Sequence, residues 1–485
     1  MATIIARLIA DLRSKKRRSG QLAVELLFLA AIVITLIGGF VSLAASFLNL
    51  SVRAQNEAQA FAIAEAGIEY YKWHLAYSPQ DFNDGTGHAG PYVHAYYNKS
   101  GVAIGQFSLA ITAPPNGSTI VTITSTGMVN ADASIRKVIK VRLGVPSFAQ
   151  YAWVLNSPVV FGTTAQVYGI IYSNNGVQFN GVAHNLVQSA LTTYQDAANG
   201  NKTEWAVYTT NAPADPQPPT ALPTRADVFT AGRALGVPAV DFTGITEDLA
   251  TIKNVATSSG VYEPSSTVFG YDLDLTTTTY TVYKVTALTP APNGCSNNWP
   301  GGAQTGWGTW SIKTETPYAS GTIPQNGDMF FEDNLWVRGN VSNVRVTIAS
   351  GRFPVNPTTY SNITVNNSIT YANFNGSDTV ALISQNNINI GLAADNNLVI
   401  DAALIAQNGA IQRYYYSSNC GASYVRNSLT TLGIMATNQQ SGLAYSPTSG
   451  FSTRTYNYDA NLLYAPPPSF PLTTNGYQLL SWQEL

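Results

Sequence analysis

Charge is scarce in this chain of 485 residues: Asp, Glu, Lys and Arg together make up 11%, accompanied by only four histidines and two cysteines. Each shortage excludes a class of chemistry. The histidines, His74, His88, His94 and His184, lie in the first part of the chain, so a Ser-His-Asp site in the carboxy-terminal body lacks its base. Two distant cysteines without a neighbouring histidine do not make a zinc site. His88 and His94 flank Pro91 with no third ligand and read as a solvated loop. Asp81-Phe82-Asn83-Asp84-Gly85 lacks the alternation and the distal Glu of a calcium loop, and reads as a polar turn. Asp272 and Asp274 share a face if they lie on a strand, where they either bind calcium or meet solvent. Asp333, Asp378, Asp395 and Asp401 stand isolated, short of the carboxylate pair that glycoside hydrolysis needs. The expectation is a non-enzymatic protein with no catalytic residue, no cofactor and no metal. Setting aside the first twenty residues, with six basic and one acidic side chain, takes the net charge from −2 to −7, which argues against a nucleic-acid partner.

What is present is a long apolar run. No charge falls between Glu25 and Arg53, and about 20 apolar residues suffice to cross a bilayer core. Arg7, Arg13, Lys15, Lys16, Arg17 and Arg18 oppose a single Asp11, which keeps the first twenty residues in the cytoplasm and places the rest outside. The far end of the run, Ser51 to Glu57, carries no evident secretory cut site. A small residue, Gly20, sits instead on the basic side, and a lone carboxylate, Glu25, lies at the start of the apolar run, where an ionised group is costly.

This order of basic leader, Gly20, Gln21, a glutamate at the fifth position after the glycine and a hydrophobic helix resembles the type IV prepilins, a class that includes pilins, pseudopilins and minor pilins. The resemblance implies that a membrane prepilin peptidase cuts between Gly20 and Gln21, with methylation of the new amino terminus usual in the family. It also implies that residues 26–50 hold the subunit in the membrane until assembly. Glu25 then neutralises the Gln21 amine of a neighbouring subunit, since each group alone in low dielectric costs several kcal/mol. Departures from the family pattern are Gln21 in place of an apolar residue, Leu22 where Thr is common, and Ser42 where many pilins kink at Pro; Gly38-Gly39 is a weak spot in the helix. An ordinary single-pass anchor with Glu25 at the interface is the blander reading.

Helix formers continue past the membrane, with Phe61, Ala64, Ile68 and Tyr71 on one face, so the helix is expected to reach about Ala76 before Pro79. Strands are expected at Gln106 to Thr112, Ser118 to Thr126 and Ile135 to Val141, with turns at Pro114-Pro115-Asn116-Gly117 and Asn130-Ala131-Asp132. They form a small antiparallel sheet packed on the helix. Beyond Val145 a motif recurs: Gly169-Ile170-Ile171-Tyr172-Ser173-Asn174-Asn175, Ala381 to Asn387, Ala403 to Gly409 and Gly433 to Gln439 align as small, apolar, apolar, small or Tyr, polar, Asn, polar. A period of ~20 to 50 residues suits a solenoid. Each copy reads as a short strand entering a turn, and stacked Asn side chains bond from copy to copy. An antiparallel sandwich is the competing fold.

Asn211 to Pro223, with five prolines, reads as an extended surface linker. Phe242, Ile245, Leu249 and Ile252 mark a short helix with Asp241 as N-cap. Val261 to Gly327, with Trp299, Trp307 and Trp310, reads as inserted strands and loops. The Pro466-Pro467-Pro468 tail with Trp482 is expected to cover a solenoid end or edge. Cys295 and Cys420 lie where oxidation is permitted. A disulfide there would add ~4 kcal/mol by loop closure, and free thiols are the alternative. Tyr414-Tyr415-Tyr416 and the tryptophans either pack or bind sugars or partner proteins.

The fold expected is thus mainly β with one long amino-terminal α-helix. Its parts are a leader at 1–20, the helix at 21–77, a pilin-like sheet at 78–145, a parallel β-helix-like domain at 146–460 with an insertion at about 191–327, and a capping tail at 461–485. Beyond the helix, this layout loosely resembles the large minor pilins of the PilX-like group. The function this implies is a processed structural subunit that joins or primes a cell-surface filament and displays a β-rich head. Its partners would be the prepilin peptidase, other pilin subunits and their assembly machinery, and a surface glycan or protein ligand. The alternative is a membrane-tethered protein that binds or degrades polysaccharide.

Overall fold

The computed structural model describes residues 2–115, 118–298, 304–445, 449–472 and 476–485, with side chains except at 2–21, 148 and 243–248. Trp299, Asn116 and Gly117 lie outside the described residues, and Ile245 outside the described side chains. The chain folds as one long amino-terminal helix followed by a large β-rich body with parallel sheets. It divides into two compact units, one of Met1–Thr112, Thr122–Arg142 and Ser481–Leu485, the other of Ala113–Val121 and Leu143–Leu480.

In the first unit, α1 (Ala2–Tyr77) is continuous through Gly38 and Gly39. Ser78 and Pro79 follow its end, as expected where proline withholds a donor. Ala60, Ile63, Ala64, Ile68, Tyr71 and Leu75 are buried at the sheet-facing stripe, while Phe61 is half-buried and meets Trp482 edge-on at 5.8 Å. The sheet holds β1 (Tyr92–Tyr97), β2 (Ala103–Thr112), β3 (Val121–Val129), β4 (Asp132–Gly144) and the last strand, Gln478–Glu484, in that spatial order. Neither β1 nor the last strand is among the expected strands: β1 alternates in burial, but its outward positions are Val93, Ala95 and Tyr97, so apolar and polar residues do not alternate along it, and the last strand's partner lies far away in the chain. β3 alternates buried and half-buried residues along its whole length, the pattern of a sheet with one face on a core.

The helix seats closely because both surfaces are bare. A Cβ on Gly127 would lie 2.0 Å from the Ala60 carbonyl oxygen and 2.4 Å from the Ala64 nitrogen, and one on Gly67 would lie 2.4 Å from Ser125 Oγ. Ala60, Ala64 and Gly67 therefore meet glycine and serine where larger residues would hold the helix off.

The second unit contains a wholly parallel sheet whose spatial order is Arg233–Leu235, Val187–Ser189, Ile171–Ser173, Trp153–Leu155, Met435–Thr437, Ala403–Ala406, Thr379–Ser384, Arg345–Ser350, Asp328–Phe331 and Val261–Glu263. The chain thus enters in the middle, steps to one edge, crosses to the far edge, and returns until Met435–Thr437 pairs with Trp153–Leu155. A second sheet follows the same logic through Ala165–Tyr168, Ser449–Tyr458, Val425–Gly433, Asn397–Asp401, Ile369–Tyr371, Leu335–Val341 and Gly270–Thr277. It ends in an antiparallel hairpin of Thr279–Leu288 and Ile312–Thr322.

Two of the four motif copies pair as aligned: Ala381 faces Ala403 and Leu382 faces Leu404. The other two are offset by one residue, since Leu404 faces Met435 rather than Ile434, and Trp153 faces both Met435 and Ile171. A one-residue slip exchanges the faces of a strand. Leu382, Leu404, Met435, Trp153 and Ile171 all enter the main core, whereas Ala381, Ala403, Ile434, Val154 and Tyr172 enter a second cluster on the opposite face. The asparagine ladder is correspondingly broken. Asn438, Asn156 and Asn174 bond in series at 2.7 and 2.9 Å, and Asn386, Asn362 and Asn334 form a separate run at 3.2 and 3.3 Å. Asn408 instead donates to the Gln385 carbonyl at 2.7 Å.

The second cluster is covered by α2 (Thr243–Ser259) and by the proline-rich tail. Leu249, Ile252 and Ala256 are buried against the sheet, and the N-cap is Phe242 rather than Asp241, without a side-chain capping bond. Leu462 and Phe470 join the same cluster. Arg345 donates to the Pro466 carbonyl and Thr347 to that of Pro468. The tail therefore covers an apolar face, not an edge, because that face would otherwise meet water. The proline-rich stretch before α2 is also pinned: Asp215 and Arg233 form a buried ion pair at 2.6 Å, and Arg225 donates to the Asn211 and Pro213 carbonyls.

Both packings can be tested by substitution. Gly127→Val should destabilise by about 3 kcal/mol through overpacking at α1; an unchanged urea midpoint would remove the close seam as a source of stability. Under the tail, burial pushes the Asp328 carboxyl up to about 6 from 3.8, partly offset by Ser469 Oγ at 3.0 Å. A folded value above the unfolded one favours the protonated acid, so this contribution is full below 3.8 and is lost as pH rises through about 6. Asp328→Asn should remove a stability loss of about 2 kcal/mol between roughly pH 4 and 7, read by denaturation at both pH values; equal pH slopes for the two proteins would refute it.

Candidate functional site

The amino-terminal residues singled out in the sequence lie on one uninterrupted helix. Gly20 and Gln21 are helical in backbone, and Glu25 is exposed one turn further on. From Leu22 the helix is long and apolar enough to cross a membrane. Its apolar side chains are bare: Leu27, Phe28 and Ile34 are each at least 70% exposed. Such a continuous apolar surface marks a membrane or partner contact. The next carboxylate, Glu57, is paired with Arg53 at 3.2 Å, so among the described residues Glu25 is the one acidic group in the run.

The residues considered as metal ligands are engaged locally. Asp81 accepts from the backbone nitrogens of Asn83 at 2.8 Å and Gly85 at 2.7 Å and lies 3.0 Å from His74 Nε2. His94 bonds Asp84 at 2.7 Å and stacks on Phe107, while His88 is exposed, so the two histidines do not converge. Asp333 is held by Ser266 and Arg352, Asp378 by Asn373, Asp395 by Ser368, and Asp401 by the Tyr371 nitrogen. Among the described residues no group of His, Cys, Asp and Glu is placed to hold a metal ion.

A disulfide joins Cys295 and Cys420. Around Cys420 lies a satellite core of Leu392, Tyr414 and Tyr416, with Trp307 and Trp310 packed against it, so two of the three consecutive tyrosines are packing residues. Arg413, fully buried, donates to the carbonyls of Gly391, Leu392 and Ser423 and lies 5.0 Å from the Tyr416 ring centroid. This cluster fixes Trp310, whose carbonyl accepts from Trp336 Nε1 at 2.9 Å and Asn366 Nδ2 at 2.6 Å.

Next to Trp310 opens a cleft of about 330 Å³ lined by Asp272, Lys313, Glu315, Arg338, Asn366 and Asn367 among others. Parallel pairing sets Asp272 beside Trp336 and Asp274 beside Arg338, and the hairpin brings Glu315 alongside. Arg338 then reaches all three carboxylates: its Nη2 is 2.9 Å from Asp272 and 3.4 Å from Glu315, and its Nε is 3.3 Å from Asp274. The Asp272 side chain is only 2% exposed. Burial holds its carboxyl well above the ordinary range; Arg338 opposes this, and Glu315 and Asp274 add to it as like charges. The Asp272 and Glu315 side chains face each other. The Asp-x-Asp spacing is visible in the sequence, but Glu315 and Arg338 are not, because strand pairing alone brings them there.

No protein-family model and no curated protein matches this chain. Among solved structures, the crystal structure of competence-associated pilin ComZ from Thermus thermophilus is similar at a TM-score of 0.31 and 11% identity, covering 89% of this chain and 97% of that chain. A similarity at that level carries no argument.

Arg338 is the counter-charge of a buried acid, and removing it strands Asp272. Arg338→Met should cost about 3 kcal/mol, and adding Asp272→Asn should recover most of the loss in a double-mutant cycle. A double variant no more stable than Arg338→Met would show the pair to be uncoupled.

Proposed function

We propose that the chain is a type IV pilin-like structural subunit, cut by prepilin peptidase between Gly20 and Gln21 and then incorporated into a cell-surface filament or used to prime it. The observation that carries this reading is the bare, membrane-length apolar helix with Glu25 as its one carboxylate among the described residues, continuous with a helix half that packs on a small antiparallel sheet. Before assembly the helix spans the cytoplasmic membrane, with the basic residues inside and the β-rich body outside. In the filament, Glu25 pairs with the amino terminus of a neighbouring subunit, which sets register because both charges are otherwise unpaired in low dielectric. Methylation of Gln21 belongs to the same reading.

The parallel sheets of the body are, in this reading, the faces of a β-helix. Successive passes of the chain pair in register on both sheets, as at Ala381 with Ala403 and Ile388 with Ile411. The body displays a large surface for adhesion or for partner proteins. The alternative, a membrane-tethered polysaccharide-binding or polysaccharide-degrading protein, keeps the anchor but not the cut.

The test is the mass of the amino-terminal peptide from cells with and without an active prepilin peptidase. A peptide beginning at Gln21, seen only with the active enzyme, is expected. Intact Met1 in both strains, or a cut beyond Leu50, would overturn the proposal. Glu25→Ala should still be processed but should be lost from sheared filaments.

A further inference from the structure

The cleft beside Trp310 has no part in the filament reading, and its walls constrain what can enter. Arg338 stands among three carboxylates, two of which line the cleft, so a cationic ligand meets the guanidinium and Lys313, and an anionic ligand meets Asp272 and Glu315. A purely apolar ligand would leave these groups desolvated and unpaired. What suits the wall is a neutral molecule dense in paired donors and acceptors.

Asp272 Oδ2 is paired with Arg338 Nη2 at 2.9 Å and its side chain also faces Glu315, so a donor and acceptors stand side by side on the wall. A vicinal diol gives one hydroxyl to a carboxylate while accepting from the neighbouring guanidinium. The cleft floor is also rigid: Trp336 and Asn366 are both bonded to the Trp310 carbonyl, and Arg338 lies 5.8 Å from the Tyr283 ring centroid. A pre-formed wall spares the ligand an ordering cost.

We propose that this cleft binds an uncharged saccharide, with Asp272 and Glu315 accepting from its hydroxyls and Arg338 and Lys313 donating to them. The proposal goes beyond the filament assignment and does not rest on it. Sugar binding by the purified chain needs no processing, so the two fail independently.

The full chain, held in a zwitterionic detergent without a sugar headgroup, is titrated with cellotetraose, maltotetraose and tetra-N-acetylchitotetraose, followed by calorimetry and saturation-transfer NMR. Binding of at least one is expected, weakened about tenfold, or about 1.4 kcal/mol, by either Lys313→Met or Glu315→Gln. Both substitutions remove a charge with little change of side-chain size, and melting curves establish that the variants fold. Spermidine, the cationic probe, should not compete. No binding of any of the three at about 10 mM, binding that both variants leave intact, or displacement by spermidine would each overturn the proposal.

Discussion

A β-strand shows alternate side chains to opposite faces, so a strand that is apolar at nearly every position must be covered twice. That constraint governs the second unit. All six residues of Thr379–Ser384 are buried, as are all four of Ala403–Ala406. One face enters the main core; the other needs separate material, supplied by α2 and the proline-rich tail. Each buried Leu or Ile contributes about 2 kcal/mol relative to exposure, so Leu249, Ile252, Leu462 and Phe470 give these two segments reason to stay on the sheet. Proline suits this position, because an extended segment with few donors can lie across strands and let Thr347 and Arg345 satisfy its carbonyls.

The order of strands has its own consequence. The chain begins in the middle of the first sheet and is closed when Met435–Thr437 reaches Trp153–Leu155. This contact joins passages far apart in the chain, and such pairings incur loop-closure entropy before they are rewarded. The edges of that sheet are short strands, Arg233–Leu235 and Val261–Glu263, which offer little template for further pairing.

With so few charges, each buried one is a local arrangement. Asp215 meets Arg233, Asp333 meets Arg352, and Asp272 meets Arg338. Arg413 has three carbonyls and two aromatic faces around it instead of an acid. The first three pair an acid with a base from a different pass of the chain, so pairing of strands and pairing of charges support each other. At the cleft two carboxylates, Asp272 and Glu315, stand with Arg338 and Lys313, and that mixture of signs gives the wall its chemistry.

Much of the architecture is legible in residue order. The apolar run, the long helix, the stripe Ala64, Ile68, Tyr71 and the β-rich character of the body follow from periodicity and composition, which are local properties. The recurring motif is visible too, but its alignment stands one residue away from the true register at Gly433 and Gly169. The pattern of small and apolar residues fits either face, and only the core chooses between Ile434 and Met435. The first strand of the small sheet lacks a period to announce it, and the last has a remote partner. The pairing of Cys295 with Cys420 stays open in the sequence, since spacing says nothing of proximity. Likewise Asp272 and Asp274 advertise a shared face, while Glu315 and Arg338, which turn that face into a cleft, come from strands whose neighbours no local rule names. Local forces set helix, strand and turn. Which distant passes lie side by side was decided by the burial of two faces at once.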